Sequence, residues 1–278
     1  MSDELRDHAL SFGPVAEAYD RARPSYPAEA AAWLVGPRRS AVLELGAGTG
    51  KLTELLVAAG HDVVATDPLP EMLGRLRARV PGARSAVAAA EHIPVASRTA
   101  DVVVSAQAFH WFDHDVALAE IARVLRPGGV LALVWNARDE AIPWVRKHGT
   151  IIGSSDNRLD LVDPVTESPY FGPVEQREFR FWQSLRRDEL FDLVRSRSYV
   201  ALLDDAQREE LLARVGALYD DYGRGPDGMQ LPYLTRCYRT VVQSAPPPRA
   251  AHVADDARDA AAATEPSEDP GTLLIDFK

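Results

Sequence analysis

The run Val42-Leu43-Glu44-Leu45-Gly46-Ala47-Gly48-Thr49-Gly50 puts a carboxylate and three closely spaced glycines between an apolar stretch and a helix-period segment. Glycine lets a backbone turn sharply and pass close under a flat ligand where a Cβ would collide, and a nucleoside is the natural guest of such a turn. A ligand-free βα turn is the alternative, but one glycine suffices for that. A dinucleotide-binding turn, G-x-G-x-x-G/A, needs a small residue at position 51. Lys51 stands there, and the spacing is G-x-G-x-G instead. At the end of the next apolar run comes Asp67, where a carboxylate can accept hydrogen bonds from both ribose hydroxyls.

A second constellation, Gln107-Ala108-Phe109-His110-Trp111-Phe112, follows a later apolar run. Ligands gather at the carboxyl ends of strands in open α/β sheets, so Gln107 and His110 are expected to face a substrate and orient its nucleophile. Three roles stay open for His110: general base, substrate hydrogen-bonder or structural residue. His110 and His114, four apart and flanked by Asp113 and Asp115, superficially suggest a metal site. Asp113-His114-Asp115 reads better as the polar start of a helix, and no third ligand is spaced to complete a set, so no metal is expected. Glu44 is read as a binding residue and not as a base.

The elements that must position these residues alternate short apolar runs with helix-period segments from 41 to 135, the pattern of βα units feeding a parallel sheet. Strands are expected over 41–45, 62–66, 83–88, 101–106 and 129–135, and helices over 52–59, 71–79 and 116–125, with Gly60 as a C-cap glycine. Right-handed crossovers then set helices on both faces. Beyond Trp135, Pro143, Gly149, Gly153, Pro164, Pro169 and Pro173 punctuate the chain too often for another simple βα unit, which predicts an insertion over the sheet edge. A strand over 178–183, a helix over 188–195, a capping box at Asp204-Asp205-Ala206-Gln207 opening a helix to about Tyr222, and a final strand over 231–242 complete the body. Residues 1–244 are thus expected to form the folded domain. From 245 to 278 three prolines, an alanine run and scattered acids predict a low-complexity, disordered tail, with Leu273-Leu274-Ile275 able to dock.

A net charge of -10 and the lack of a basic stripe interleaved with aromatics argue against nucleic acid as a partner. A single cysteine, Cys237, rules out an internal disulfide and suits a reducing compartment, so the expectation is a cytoplasmic protein. The start Met1-Ser2-Asp3-Glu4 is acidic where a signal peptide is basic, and no apolar run is long enough to span a membrane.

Taken in order, Glu44-x-Gly46-x-Gly48-x-Gly50, Asp67, Asp101 opening a fourth strand and Arg126-Pro127-Gly128-Gly129 before a fifth resemble the class I methyltransferases that use S-adenosylmethionine. The match covers roughly residues 12–136, leaving 137–244 for the acceptor side. The resemblance implies a Rossmann-like α/β fold: a seven-stranded, mostly parallel sheet with an antiparallel last strand, which suits 231–242, and a helical insertion or cap. Tyr19-x-x-x-Arg23-Pro24-x-Tyr26-Pro27 and the 107–112 segment make the chain similar to the small-molecule branch that includes the trans-aconitate type. By that resemblance Gly46, Gly48 and Gly50 lie against the methionyl and ribose parts of S-adenosylmethionine, Asp67 on the ribose, Met72 beside the adenine, and Ala90 and Glu91 along the adenine edge. Many relatives carry an acid where Ala89 stands, which leaves Glu91 as a source of the contact to the exocyclic amine. Glu44 orders the glycine loop or meets the ammonium group. Tyr19, Arg23 and Tyr26 lie on a segment that closes over the cofactor or packs on the body. The implied function is methyl transfer to an oxygen (carboxylate or hydroxyl) or other nucleophile of a small molecule. The alternatives are a non-catalytic or regulatory binder of the cofactor and, from another class, a nicotinamide-dependent oxidoreductase.

Overall fold

In the computed structural model the described residues are 23–153, 161–223, 225, 227–243, 275 and 277. Tyr19 lies outside them, as does most of 245–278. Seven strands form one sheet: β1 (Ala41–Leu45), β2 (Asp62–Asp67), β3 (Arg84–Val87), β4 (Ala100–Ala106), β5 (Leu125–Arg138), β6 (Glu175–Leu185) and β7 (Met229–Val241), in the order β3-β2-β1-β4-β5-β7-β6. β7 runs antiparallel to both neighbours, so β6 points the same way as β5. The order reverses between β1 and β4, and the carboxyl ends of these two strands open a crevice there.

Alternation along the buried strands loads both faces. Val42 of β1, Val63 of β2 and Val102 and Val104 of β4 pack with Ala30 and Leu34 of helix α1 (Ala28–Val35) and Leu52 and Leu56 of α2 (Lys51–Ala58). Leu43, Leu45 and Val103 point the other way, onto α4 (His114–Val124). Between them α3 (Pro70–Arg79) sets Leu73 and Leu76 against Ala47 and Ala65. Gly60 at φ 87 donates its amide to the Val57 carbonyl, closing α2.

Three sequence readings shift. The fifth strand runs over Leu125–Arg138 and not 129–135, because Leu125 already pairs with Ala100 across a register shift; Arg126-Pro127-Gly128-Gly129 therefore lies inside the strand. Asp101 and Arg126 serve the far edge of the sheet: the Asp101 carboxylate accepts from the Ala41 amide at 2.8 Å and from Arg126 at 2.5 Å, tying the start of β1 to β5. The helix expected over 116–125 begins at His114 because the Asp113 side chain accepts from the Val116 amide and caps it.

The punctuated segment becomes a helical cap. Helices α5 (Pro143–Ile151), α7 (Arg187–Arg195) and α9 (Asp205–Tyr222) pack through Val145, Leu190, Leu193, Val215 and Leu218 onto Leu185, Met229 and Leu231, at the carboxyl end of β6 and the start of β7. Short helices α6 (Asp163–Glu167) and α8 (Ser198–Ala201) complete the chain of elements. The capping box holds as read, with Asp204 accepting from the Gln207 amide and Gln207 returning to the Asp204 amide.

Two residues of the tail touch the body. Ile275 pairs with Val95, its amide donating to the Pro94 carbonyl at 2.9 Å, and Phe277 lies under the Arg84 guanidinium. Truncation at residue 244 exposes the partly buried Ile275 contact and should lower the melting temperature by about 3–6 °C, the effect of roughly 1–2 kcal/mol in a domain of this size. Scanning calorimetry checks this, and an unchanged melting temperature contradicts it.

Candidate active site

The crevice has two lobes that share Gly46, Gly48, Ala106 and Gln107. The larger, about 920 Å³ including its open mouth, is walled by Asp67, Leu69 and Met72 on one side, Ala88, Ala89, Ala90 and Glu91 on the second, and Ala108, Trp111 and Phe112 on the third. The smaller, about 490 Å³, is lined by Arg23, Pro24, Tyr26, Glu44, Thr49 and Lys51. The larger lobe is mostly apolar apart from Asp67 and Glu91, while the smaller carries Arg23, Glu44 and Lys51.

The turn between β1 and α2 separates them. Gly46, Gly48 and Gly50 sit at φ 68, 56 and 86, where a side chain is strained. They do different work. A Cβ on Gly46 would lie 2.4 Å from that of Ala108, so this glycine lets the β4 end approach; one on Gly50 would meet Leu76 at 2.9 Å, so this one seats α2 against α3. Only at Gly48 would a Cβ find nothing within 4 Å, since it would project into the crevice. Gly50 is outside the lining of both lobes and packs its Cα side against Leu76.

Asp67 holds the turn. Its two oxygens accept from the Gly48 amide at 2.8 Å and the Leu69 amide at 2.9 Å. Burial nevertheless pushes its carboxyl above the usual range, against the two amides that favour the charge. Glu44, 1% exposed, accepts from the Thr53 hydroxyl at 2.6 Å. Its carboxyl is pushed up to about 8, chiefly by burial, with the Thr53 bond opposing and the Asp67 charge adding. A buried carboxyl this far raised in a polar lobe is ready to become charged when a cation arrives.

Gln107 adopts φ 59, uncommon for a residue with a side chain, and this turns it into both lobes. Its amide donates to the Val134 carbonyl and its side-chain amide to that of Asn136, at 3.1 Å. Asn136 in turn donates to the Ser25 carbonyl and accepts from Thr235, which ties the 23–26 segment over the small lobe. His110 sits in a 3₁₀ turn, Phe109–Trp111, against Trp111 and does not line either lobe. The turn sends Phe109 into the core and Ala108, Trp111 and Phe112 into the crevice, a helical spacing that the sequence reading overlooked in favour of the histidine. His114 donates its ring Nε2–H to the Phe109 carbonyl at 3.1 Å and stacks on that ring, so it braces the turn. Glu91 lines the large lobe but spends one oxygen on the Asp113 amide. Among the described residues no group of three or more His, Cys, Asp or Glu could hold a metal ion, and no helix is long and apolar enough to cross a membrane.

Residues 43–133 match the model of a methyltransferase domain. An uncharacterized methyltransferase of Mycobacterium tuberculosis is 45% identical over 244 residues, which is 87% of this chain and 100% of that protein. The chain belongs to the methyltransferase family. An uncharacterized methyltransferase-like protein of Schizosaccharomyces pombe is 34% identical, covering 81% of this chain and 91% of its own. The solved structure of a putative type II methyltransferase from Anaeromyxobacter dehalogenans is 26% identical with TM-score 0.54, covering 79% of this chain and 97% of that one. This methyltransferase therefore has the class I fold expected of it.

The Glu44 carboxyl makes the stability of this methyltransferase depend on pH. Its folded value of about 8 lies above the ordinary 4.5, so the fold binds a proton that the unfolded chain has already released. Its stabilising contribution is full below about pH 4.5 and is lost as the pH rises through 8, and Asp67 acts in the same direction. Glu44→Gln keeps an acceptor for Thr53 and removes the proton. Thermal melts across this window should show a flatter decline for the variant than for wild type; parallel curves contradict the assignment.

Proposed function

We propose that this methyltransferase uses S-adenosylmethionine and transfers its methyl group to a small molecule. The observation that carries the reading is the two-lobed crevice around Gly48, with a carboxylate braced at the base of each lobe. Its parts fit the cofactor's chemistry: an apolar slot among Leu69, Met72 and Ala90 for a purine, Asp67 for ribose hydroxyls, and Glu44 for an ammonium group. Gly48 is the one turn glycine whose missing Cβ leaves room for a ligand. When bound, S-adenosylmethionine supplies a methyl carried on a positive sulfur that leaves neutral.

The protein's task is alignment more than acid–base chemistry. Gln107, fixed by Asn136 and facing both lobes, is placed to orient the acceptor beside the methyl. Trp111 and Phe112 close the third wall of the large lobe and exclude water from it. A hydroxyl acceptor needs a base, for which His110 is the nearest sequence candidate, whereas a carboxylate needs none at neutral pH. A malonyl-[acyl-carrier protein] O-methyltransferase of Methylococcus capsulatus, 39% identical over 46% of this chain and 51% of its own, is named for methylation on oxygen, which favours oxygen methylation here as well. A non-catalytic cofactor binder is the competing reading, and the aromatic wall beside Gln107 speaks for an acceptor.

Titration calorimetry with S-adenosylmethionine and with NAD separates this reading from a nicotinamide enzyme. Binding of the first alone is expected, and binding of NAD alone overturns the proposal. Asp67→Ala should weaken S-adenosylmethionine by about 1.5–3 kcal/mol, the scale of charge-assisted hydrogen bonds. Gly48→Ala should fold at a cost of about 1–2 kcal/mol for its backbone and lose more in affinity than in stability. Equal affinity in both variants moves the ligand elsewhere.

His110→Ala should lower turnover by less than about tenfold and leave the pH profile unchanged, as suits a residue outside the crevice wall. A loss of a hundredfold or more, with the limb near neutrality gone, makes it a general base.

A further inference from the structure

The second wall of the large lobe is held at both ends by residues far from it in sequence. β3 runs out into Ala88, Ala89, Ala90 and Glu91, which line the lobe, and then into Ile93 and Val95, buried with Leu118 and Ile121 of α4. Its inner side is fixed by the body. The Ala88 amide donates to the Asp67 carbonyl and the Ile93 amide to the Glu120 carboxylate, both at 3.2 Å. Arg123 donates to the Ile93 and Val95 carbonyls, each at 3.0 Å, and is itself held by Glu120 at 2.8 Å.

The Pro94 carbonyl between those two has a different partner. The Ile275 amide donates to it at 2.9 Å, and Ile275 pairs in parallel with Val95. Two residues on, the Arg84 guanidinium stands over the Phe277 ring, 5.7 Å from its centre, in the geometry of a cation–π contact. Arg84 opens β3 and is tied to Asp62 of β2 at 2.6 Å. Ile275 and Phe277 are both half-buried, packed against the core that holds Ala90, Ile93 and Phe109.

Residues 275 and 277 therefore meet the stretch 84–95 at its first residue and at its last, while its middle, 88–91, is the wall of the crevice. A loop tied at both ends leaves fewer arrangements to its middle. A ligand that needs one of those arrangements then loses less conformational entropy when it binds.

We propose that the strip at Pro94 and Val95 is a docking surface for this chain's own residues 275–277, and that their docking and cofactor binding strengthen each other. This rests on the S-adenosylmethionine reading above and adds its regulation. Anything that withdraws the segment, such as a competing partner or a cut in the chain before it, lowers cofactor affinity without touching a residue of the crevice. The coupling is reciprocal: the ligand holds the segment down by the factor with which the segment tightens the ligand.

The test compares the full chain with the double variant Ile275→Asp, Phe277→Ala, and with Phe277→Ala alone should the double variant not melt cooperatively. Calorimetry with S-adenosylhomocysteine is run well below each melting temperature. The variant should bind it about fivefold more weakly, the lower end of couplings measured between sites. In the unaltered chain, saturating S-adenosylhomocysteine should slow hydrogen exchange of the Ile275 amide by a similar factor. Unchanged or tighter binding in the variant, or unchanged exchange at Ile275, overturns the coupling even if the variant melts earlier, because the segment then serves stability alone. A dimer of the full chain that the double variant abolishes, seen by sedimentation, overturns docking within one chain in favour of exchange between two copies. Failure of S-adenosylhomocysteine to bind the full chain overturns the cofactor reading itself, and this inference with it.

Discussion

One carboxylate decides the shape of the crevice. Asp67 ends β2 and is 7% exposed, yet it reaches across to the Gly48 amide of the β1 turn and back to the Leu69 amide before α3. Without it the turn would present Gly48 with no acceptor at a left-handed backbone angle, and the wall made by Leu69 and Met72 would lose its anchor to β1. A hydrogen bond to a charged acceptor contributes about 1.5–3 kcal/mol, which two such bonds set against the cost of burying the charge. The balance is not complete, since burial still holds the Asp67 carboxyl high. The residual cost is carried at a place where ligand hydroxyls could relieve it, as buried polar groups in working sites often are.

The same logic separates the two ends of the molecule's upper edge. Burial raises both Glu44 and Asp67, and the Asp67 charge raises Glu44 further, so the pair favours a partner with positive charge or donor groups. Across β4 and β5, in the cap, burial and the charges of Arg138 and Arg197 hold the His148 imidazole low. Gln107 and Asn136 lie between, joined to each other and, through Ser25, to the strap that carries Arg23.

Much of this fold is legible because it is local. The capping box at Asp204 and Gln207, the left-handed Gly60 and the apolar runs of β1, β2 and β4 are decided by residues a few positions apart. The glycine turn was equally visible, but the reason for two of its glycines was not. Gly46 and Gly50 answer to Ala108 and Leu76, which the chain brings back from dozens of residues away. Asp101 and Arg126 belonged to the pattern that suggested a family, yet they brace the far edge of the sheet and touch no ligand wall. The burial of His148 on α5 had no sequence signal. A histidine flanked by acids drew attention to His110 and His114, while the histidine that burial singles out is His148.

Incubation with S-adenosylmethionine carrying a deuterated methyl group, in a metabolite extract, tests the central claim most directly. Mass spectrometry should reveal at least one product heavier by a CD3 group in place of a hydrogen, formed in step with S-adenosylhomocysteine and formed more slowly with Asp67→Ala at sub-saturating cofactor. If S-adenosylmethionine binds but no labelled product and no S-adenosylhomocysteine appear in any extract, the crevice is a binding site without turnover and the account is wrong.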